Sequence, residues 1–312
     1  MQIRKRNIVS RIIGAALCVA SMSFAFSSCE NIYEDLDPCA HGVSLRFIYD
    51  YNMEFANAFP KKVDCLTLYI YDEKGNYVDT RVVTGPELRD ESYRMTLDLE
   101  PGNYRFVAYG GMACEKSSFS MQTPTGGSEY RNARARMDED CLTNPDRKKL
   151  HDMYWGQLTL TTADLYQEGV VEMMKNTNNI RIMLQQMNGD PVDDKDFDFE
   201  ITDDNTLFAC DNDLIPNGEI VYAEFSTSRL MLKNSPKLVI RRKADGGEVV
   251  NIPLNNYLLA FRSEFHRDMD KQEFLDRESE WSMLFFLDAN HVWLKTEIKI
   301  NDWVVRVNEI QE

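Results

Sequence analysis

The sequence predicts an all-β protein made of two successive sets of antiparallel strands, each set large enough for a sandwich or a barrel. Short runs alternate apolar and polar residues with period two, and Gly, Pro, Asn and Asp separate the runs. One stretch alone has clear helical periodicity. The chain has 312 residues, of which 43% are hydrophobic, so it has enough apolar material for two cores.

The first predicted domain covers residues 41–165. Its strands are expected at 42–51, 64–72, 77–84, 93–99, 104–110 and 153–162. Gly75 and Asn76 suit a hairpin turn after the second strand, and Pro101 with Gly102 suits a type II turn before the fifth. Residues 111–150 show little periodicity and predict a long loop with some helix, a kind of segment that often carries function.

The second predicted domain covers residues 166–312. Its strands are expected at 169–175, 178–186, 196–202, 219–225, 237–242, 248–254, 282–288, 292–300 and 302–310. Residues 263–281 predict a helix, because Phe274, Leu275 and Trp281 fall near one helical face. The second domain is therefore expected to be a β-sandwich that carries a short helix.

The N-terminus has the features of a secretory lipoprotein signal at residues 1–28. It begins with a basic segment that contains Arg4, Lys5, Arg6 and Arg11. Residues 12–26 are mostly apolar but too short to cross a bilayer as a helix. Cys29 follows at the position of the acylated cysteine in a bacterial lipoprotein signal, so we expect lipidation at Cys29. The alternative is an ordinary signal peptide, cleaved nearby, that leaves Cys29 free or paired.

Residues 29–40 predict an acidic tether behind the lipid. Its carboxylates are Glu30, Glu34, Asp35 and Asp37, which resemble a surface-export signal but equally suit a solvated linker. The whole chain has 35 basic and 51 acidic residues and a net charge of −16. Removal of residues 1–28 takes away four basic residues and leaves 31 − 51 = −20. This charge disfavours nucleic acid as a partner.

The cysteines beyond the signal and Cys29 are odd in number, so at least one thiol stays free or pairs between chains. They are Cys39, Cys65, Cys114, Cys141 and Cys210. Export permits disulfides, and either Cys39–Cys65 or Cys114–Cys141 is a conceivable bridge. The spacing alone does not decide between them.

The sequence contains no recognisable catalytic or cofactor motif. HExxH, GxSxG and the glycine-rich phosphate loops are absent, and the four histidines are scattered singly. Asp211, Asn212 and Asp213 offer oxygen ligands for calcium but lack the rest of an EF-hand loop. We therefore expect no enzyme activity, no cofactor and no bound metal.

Aromatic residues raise the question of a sugar-binding platform. All four tryptophans, however, lie in or beside apolar strand runs, which favours placement in the core: Trp155, Trp281, Trp293 and Trp303.

Several strings resemble a known family. DPCAHGVSLRFIYDYN at 37–52, VDCLTLYIYDEKGNYV at 63–78 and LEPGNYRFVAYGG at 99–111 are similar to the anchor and minor-subunit lipoproteins of the type V fimbriae of Bacteroidales. KQEFLDRESEWSMLFFLD at 271–288 and IKINDWVVRV at 298–307 extend the likeness to the C-terminus. The resemblance covers nearly all of the chain after the signal. It rests on strands and turns and names no catalytic residue.

The resemblance implies two tandem transthyretin-like β-sandwiches and a fimbrial (pilus) subunit held in the outer membrane through N-terminal acyl chains. It also implies a partner, the major fimbrial stalk subunit, joined by donor-strand exchange, in which a strand of one subunit completes the sheet of another. Stalk subunits of such fimbriae are opened by cleavage after a basic residue near the N-terminus. Here no Lys or Arg lies between Cys29 and Arg46.

That absence suits an anchor that attaches the filament at the cell surface and terminates or limits its assembly. Two alternatives stay open. The protein could be a tip or accessory adhesin for which lipid is a transport intermediate, or a surface glycan-binding lipoprotein. A lipid-anchored hydrolase is a third hypothesis, which no motif supports.

Overall fold

In the computed structural model of the chain, the described residues are 42–306 without 113, 143–149, 164–165, 191, 205, 218–219, 222–225 and 302. The predicted signal peptide, Cys29 and the tether at 29–40 lie outside these residues. The described residues belong to one compact unit.

Strands dominate the described residues, as the sequence predicts. The first ten are β1 Val43–Ile48, β2 Leu66–Asp72, β3 Tyr77–Val83, β4 Met95–Leu97, β5 Gly102–Gly110, β6 Phe119–Met121, β7 Ala135–Met137, β8 Tyr154–Thr162, β9 Gln167–Lys175 and β10 Thr177–Gln186. The others are β11 Phe197–Asp203, β12 Leu207–Phe208, β13 Leu214–Ile215, β14 Ile220–Val221, β15 Ser226–Ser228, β16 Lys237–Arg242, β17 Glu248–Pro253, β18 Glu280–Leu287, β19 Trp293–Ile300 and β20 Trp303–Arg306. The helices are α1 Phe59–Lys62, α2 Glu139–Leu142, α3 Leu254–Phe265 and α4 Lys271–Arg277.

The first sheet has seven strands in the order β3-β2-β5-β8-β9-β1-β4. Strands near the two opposite edges of this sheet contribute buried residues to one core, so the sheet curves around that core. Leu66, Leu68 and Ile70 of β2 pack in the same cluster as Val43 and Leu45 of β1. Their period-two spacing is what places these side chains on one face of each strand.

One pairing in the first sheet is parallel. β1 runs beside β9 from Val43 opposite Gln167 to Ile48 opposite Glu172. The sequence boundary at 165/166 assigns β9 to the second domain, whereas the structure pairs β9 with strands of the first sheet. The two-domain division remains a prediction, and this pairing favours a boundary nearer Lys175.

The second half contains a five-stranded sheet, β15-β10-β18-β19-β20, and a four-stranded sheet, β14-β11-β16-β17. β10 and β18 form a second parallel pair. Trp281 and Phe285 of β18, Ile240 of β16 and Phe274 of α4 are buried in one cluster. The predicted all-β class is confirmed, with helix in the second half.

The described residues of the excursion at 111–150 contain more strand than the sequence predicts. Its strands β6 and β7 join β12 and β13 in a four-stranded sheet, so the excursion pairs with residues of the second half. Tyr69 of β2 and Tyr109 of β5 share a hydrophobic cluster with Phe119 of this small sheet. The small sheet thereby helps to bury the outer face of the first sheet.

The predicted helix at 263–281 is wrong in its bounds. Two helices occupy the region, and Trp281 lies in β18. Leu254, Leu258 and Phe261 are buried at spacings of four and three, which is a helical pattern that the strand prediction at 248–254 obscured. The Asp270 carboxylate accepts hydrogen bonds from the backbone N–H groups of Gln272 and Glu273, which explains why a new helix begins there.

The disulfide is Cys65–Cys114, and both pairings considered from the sequence are wrong. Cys65 precedes β2 and Cys114 follows β5. These strands are antiparallel neighbours with Leu66 opposite Gly110, so the two cysteines meet at the same end of the pair. Cys141 is buried and free, and Cys210 is also free.

Candidate assembly site

The strand that follows the predicted tether is built into the first sheet. β1 presents Val43, Leu45 and Phe47 to the core, where they are 0%, 0% and 3% exposed. Burial of each such side chain contributes about 1.5 to 3 kcal/mol. Loss of β1 would therefore uncover an apolar groove in the core of this sheet.

β1 is also paired along both edges. On one side it runs parallel to β9, and on the other it is antiparallel to β4, with Val43 opposite Leu97. Gly42 begins the strand with a φ of +114°, and a Cβ there would lie 2.2 Å from the Leu97 carbonyl oxygen. The chain enters the sheet at a point that admits only glycine without rearrangement.

Arg46 is the first basic residue after Cys29, and it lies in the middle of β1. Its side chain is half-buried, and its backbone lies beside Val170 of β9 within the parallel pair. A protease requires an accessible, unpaired segment of backbone. The folded chain therefore does not present Arg46 for cleavage.

The other candidate assembly element is β20, at the edge of the five-stranded sheet. β20 pairs with β19, from Ile300 opposite Trp303 to Glu297 opposite Arg306. Trp303 is 55% exposed, and its ring lies 4.5 Å from that of Phe265 in α3. The predicted strand 302–310 is present at Trp303–Arg306, and residues 307–310 lie outside the described part. Such an edge can pair with another strand.

An ion network around the buried Lys175 joins β9 and the segment just before β8 to β18. The Lys175 ammonium is 3% exposed and lies 3.1 Å from Asp152 Oδ1 and 3.1 Å from Glu280 Oε1. Thr177 Oγ1 donates to the same Asp152 oxygen at 3.1 Å. Burial, with the negative charge of Asp152 nearby, raises the pKa of Tyr154, so its phenol stays protonated. The network therefore connects the first sheet with the five-stranded sheet.

Arg277 of α4 makes a second connection to the N-terminal region. Its guanidinium lies 4.1 Å from the ring centre of Tyr51 and 4.6 Å from that of Phe55, both in the loop after β1. Arg277 also forms an ion pair with Glu273, with 2.7 Å between Arg277 Nε and Glu273 Oε1. Cation–π contacts of this kind stabilise the loop against the helix.

The calcium hypothesis for 211–213 finds no support in the geometry. Asn212 is buried and exchanges side-chain hydrogen bonds of 2.6 and 2.9 Å with Asn176, while Asp213 pairs with Lys233 at 2.5 Å. Among described residues, Asp64, Cys114 and His151 form the one cluster with metal-ligand distances. Because Cys114 is in the disulfide, it offers no thiolate to a metal.

The tryptophans follow the core prediction except for Trp303. Trp281 and Trp293 are buried, and Trp155 is partly buried against the same cluster.

Cys29, the one predicted site residue, lies outside the described residues. Sequence patterns did not indicate the Lys175 network or the Arg277 contact, because their partners are far apart in the chain. No helix in the described part of the chain is long and apolar enough to span a membrane.

Comparison with known proteins decides the family. The family model of the fimbrillin-A associated anchor proteins Mfa1 and Mfa2 matches residues 36–309. The chain belongs to the fimbrillin-A associated anchor family. The resemblance seen in the sequence is thereby confirmed. Membership in this anchor family indicates a fimbrial accessory subunit that associates with fimbrial subunits at the cell surface.

Solved structures agree with this membership. A candidate adhesin from Bacteroides thetaiotaomicron is 64% identical, with a TM-score of 0.84, over 88% of this chain and 100% of its own. A candidate polysaccharide-binding protein from the same organism is 29% identical, with a TM-score of 0.78, over 87% and 100% of the two chains.

The fimbrial anchor protein Mfa2 from Porphyromonas gingivalis has the same fold. It is 14% identical, with a TM-score of 0.67, over 86% of this chain and 99% of its own. No curated protein matches the chain.

Proposed function

We propose that this member of the fimbrillin-A associated anchor family is a lipid-anchored, non-catalytic subunit that attaches a fimbrial filament to the outer membrane. Acyl chains on Cys29 hold the subunit in the membrane, and the acidic tether at 29–40 carries it away from the lipid surface. Stable anchoring needs two or more acyl chains, which lipoprotein modification supplies.

The observation that carries the proposal is the placement of β1. A subunit that receives a donor strand needs an open groove, and here β1 fills that groove with its own buried Val43, Leu45 and Phe47. Residues 30–45 contain no Lys or Arg at which a protease could release the strand. The first sheet therefore stays closed, and assembly at this subunit ends or is limited.

Contact with the major stalk subunit then uses another part of the molecule. The edge of β20 is suited to donor-strand pairing for two reasons. β20 is the last strand of its sheet, so a strand of another subunit can pair with its backbone, and the Trp303 side chain on it is exposed. We propose the stalk subunit as the partner at this edge.

The lipid is tested by Cys29→Ala, with Cys18→Ala in the signal as the matched control. Membrane fractionation and immunogold electron microscopy follow the protein and its filaments. We expect Cys29→Ala to release the protein and to shed the fimbriae, while Cys18→Ala leaves both at the membrane. Retention of the Cys29→Ala protein in the membrane would contradict the lipid anchor.

The closed groove is tested by Ala40→Arg, which places a basic residue just before β1. If cleavage in the tether is what opens such subunits, Ala40→Arg protein will be cut in its host, lose its tether and leave the membrane. Ala40→Gln is the control and should behave as the wild type. An uncut Ala40→Arg protein at the filament base would show that the missing basic residue does not determine anchoring.

A tip adhesin or glycan-binding lipoprotein is the second candidate, and the exposed Trp303 favours it. Aromatic rings with an accessible face bind sugars, and one relative is described as a candidate polysaccharide-binding protein. Immunogold label at distal filament tips, together with glycan binding lost in Trp303→Ala, would support this candidate. Label confined to the filament base would support the anchor.

A further inference from the structure

A polar cavity of about 490 Å³ lies on the excursion that joins β5 to β8. We name it the basic pocket, and the lining residues that could bind a ligand are Thr125, Ser128, Asn132, Arg134 and Arg136. Its volume falls within the usual range for sites of small ligands or sugar units, about 300 to 1,000 Å³. Neither the anchoring role nor the family resemblance uses this pocket.

The pocket is built on ordered elements. β6 and β7 pair with Ser120 opposite Arg136, and the turn Tyr130–Asn132 closes one side. Tyr130 OH donates to the carbonyl oxygen of Cys210 at 2.8 Å, which ties the turn to the second half of the chain. The site is therefore preorganised, which lowers the entropy cost of binding.

The arginines of the pocket are not neutralised by acids in the described part of the chain. Arg134 Nη1 donates to the carbonyl oxygens of Arg131 and Ala133 at 2.8 and 2.7 Å, which orients the guanidinium and leaves its Nε and Nη2 donors for a ligand. Arg136 is exposed on β7. Glu129 is the one carboxylate among the lining residues, and it is paired with Arg131 Nε at 2.5 Å.

A second described pocket shows the contrast. Its lining includes Lys233 and Lys237, but Asp203 and Asp204 line it as well. Only in the basic pocket do cations exceed acids among the described cavities, although the whole chain carries a net charge of −16. Because the Debye length is about 8 Å at physiological salt, distant surface acids are screened and the two arginines dominate the local field.

We propose that the basic pocket binds an anionic polysaccharide, through a carboxylate or sulfate group held by Arg134 and Arg136. Guanidinium groups bind such planar or tetrahedral anions with paired hydrogen bonds. Hydroxyl and amide side chains of Thr125, Ser128 and Asn132 supply partners for sugar hydroxyls. Nucleic acid fits less well, because Tyr71 is buried and the pocket has no exposed ring for base stacking.

The test is calorimetric titration of the mature protein at about 0.15 M salt. The probes are oligogalacturonate for carboxylated sugars, chondroitin sulfate oligosaccharide for sulfated sugars, and dextran as the neutral control. We expect one anionic probe to bind and dextran not to bind. Whichever probe binds more tightly identifies the source of the anionic group.

Variants locate the binding. Arg134→Gln/Arg136→Gln should weaken it by about tenfold or more, because hydrogen bonds to charged groups are lost. Lys61→Gln/Lys62→Gln makes the same charge change at two exposed lysines of α1 and should bind as the wild type. Arg134→Lys/Arg136→Lys keeps the charge and should recover part of the affinity. A thermal melt confirms that each variant is folded.

Three results would overturn the proposal: no binding of either anionic probe, equal loss in the lysine control, or tighter binding of single-stranded DNA of matched charge. The titration requires neither lipid nor filament. Failure of the proposed anchor would therefore leave its result unchanged, and the two proposals can be judged separately.

Discussion

Lys175 is a buried cation that depends on two carboxylates for its counter-charge. Its ammonium is almost fully buried, whereas its partners Asp152 and Glu280 are 29% and 58% exposed at their side chains. Either carboxylate can be hydrated, but the ammonium cannot. The acids therefore matter chiefly as counter-charges for the lysine.

We predict an unequal response to removal of these acids. Glu280→Gln should lower the free energy of unfolding by about 1 kcal/mol, because Asp152 still pairs with Lys175. Asp152→Asn/Glu280→Gln leaves the buried ammonium unpaired and should cost about 3 to 5 kcal/mol. Urea unfolding of the wild type, Glu280→Gln and the double variant measures both losses of unfolding free energy. A double variant no less stable than Glu280→Gln would contradict the role of the network.

Asp203 gives a pH-dependent prediction at the same scale. Burial raises the pKa of its carboxyl from 3.8 to about 7. The folded state thus holds a proton that the unfolded state has lost, so the contribution of Asp203 to stability falls as pH rises from about 4 to about 7. The total change is at most about 4 kcal/mol.

Asp203→Asn tests this dependence, because it keeps the oxygen that accepts the Asp204 N–H at 2.9 Å and removes the titration. We expect wild type and variant to be similar near pH 4 and the variant to be the more stable at pH 8. Asp190→Asn, at an exposed aspartate, is the control and should follow the wild type. A constant difference between wild type and Asp203→Asn from pH 4 to 8 would be the contradicting result.

At the scale of elements, the disulfide covalently links one end of β2 to the adjacent end of β5. Cys65 and Cys114 are 49 residues apart. A bridge over that separation reduces the conformational entropy of the unfolded chain, which stabilises the folded state by about 4 kcal/mol. Cys65→Ser/Cys114→Ser should lose about that amount of stability in urea unfolding.

A reductant supplies the matched test of the same bridge. Dithiothreitol should destabilise the wild type and Cys210→Ser to the same extent, and it should not change Cys65→Ser/Cys114→Ser. If Cys210→Ser instead lost its sensitivity to reductant, the bridge would involve Cys210.

Strands and turns were predicted well where the sequence pattern that specifies them lies within a few neighbouring residues. Alternation gave β2, and Gly75 with Asn76 gave the hairpin to β3. The parallel partner of β1 could not be predicted, because β9 lies more than a hundred residues away and alternation does not identify a partner. α3 was missed because its apolar residues continue directly from the strand pattern of β17.

The candidate sites were predicted less well, for a related reason. The missing basic residue before Arg46 is visible in the sequence, but the burial of β1 between two strands is a tertiary property. Likewise, Arg134 and Arg136 fall in the segment for which the sequence predicts a long loop, and only the pairing of β6 with β7 places them beside a cavity. Sites composed of distant segments leave no spacing rule in one sequence.

At the scale of the whole molecule, one hydrophobic cluster crosses the predicted domain boundary. Tyr69 and Tyr109 of the first sheet belong to the same cluster as Phe208 and Trp281 of the second half. We therefore predict a single cooperative unfolding transition, because neither half can open without exposing this core.

Differential scanning calorimetry of the mature protein tests that cooperativity. Equal calorimetric and van't Hoff enthalpies would agree with one transition. Two resolved transitions, or a soluble and folded fragment ending at residue 175, would show that the halves are energetically independent.

The position of β1 also has a mechanical consequence. Tension applied to the residues before Gly42 pulls β1 along its own axis, while its backbone bonds to β4 and β9 lie across that axis. These bonds are loaded together in shear and cannot be unzipped one at a time. In the proposed anchor, the drag of flowing liquid on the filament would therefore load β1 in shear at the point where the chain before Gly42 enters the sheet.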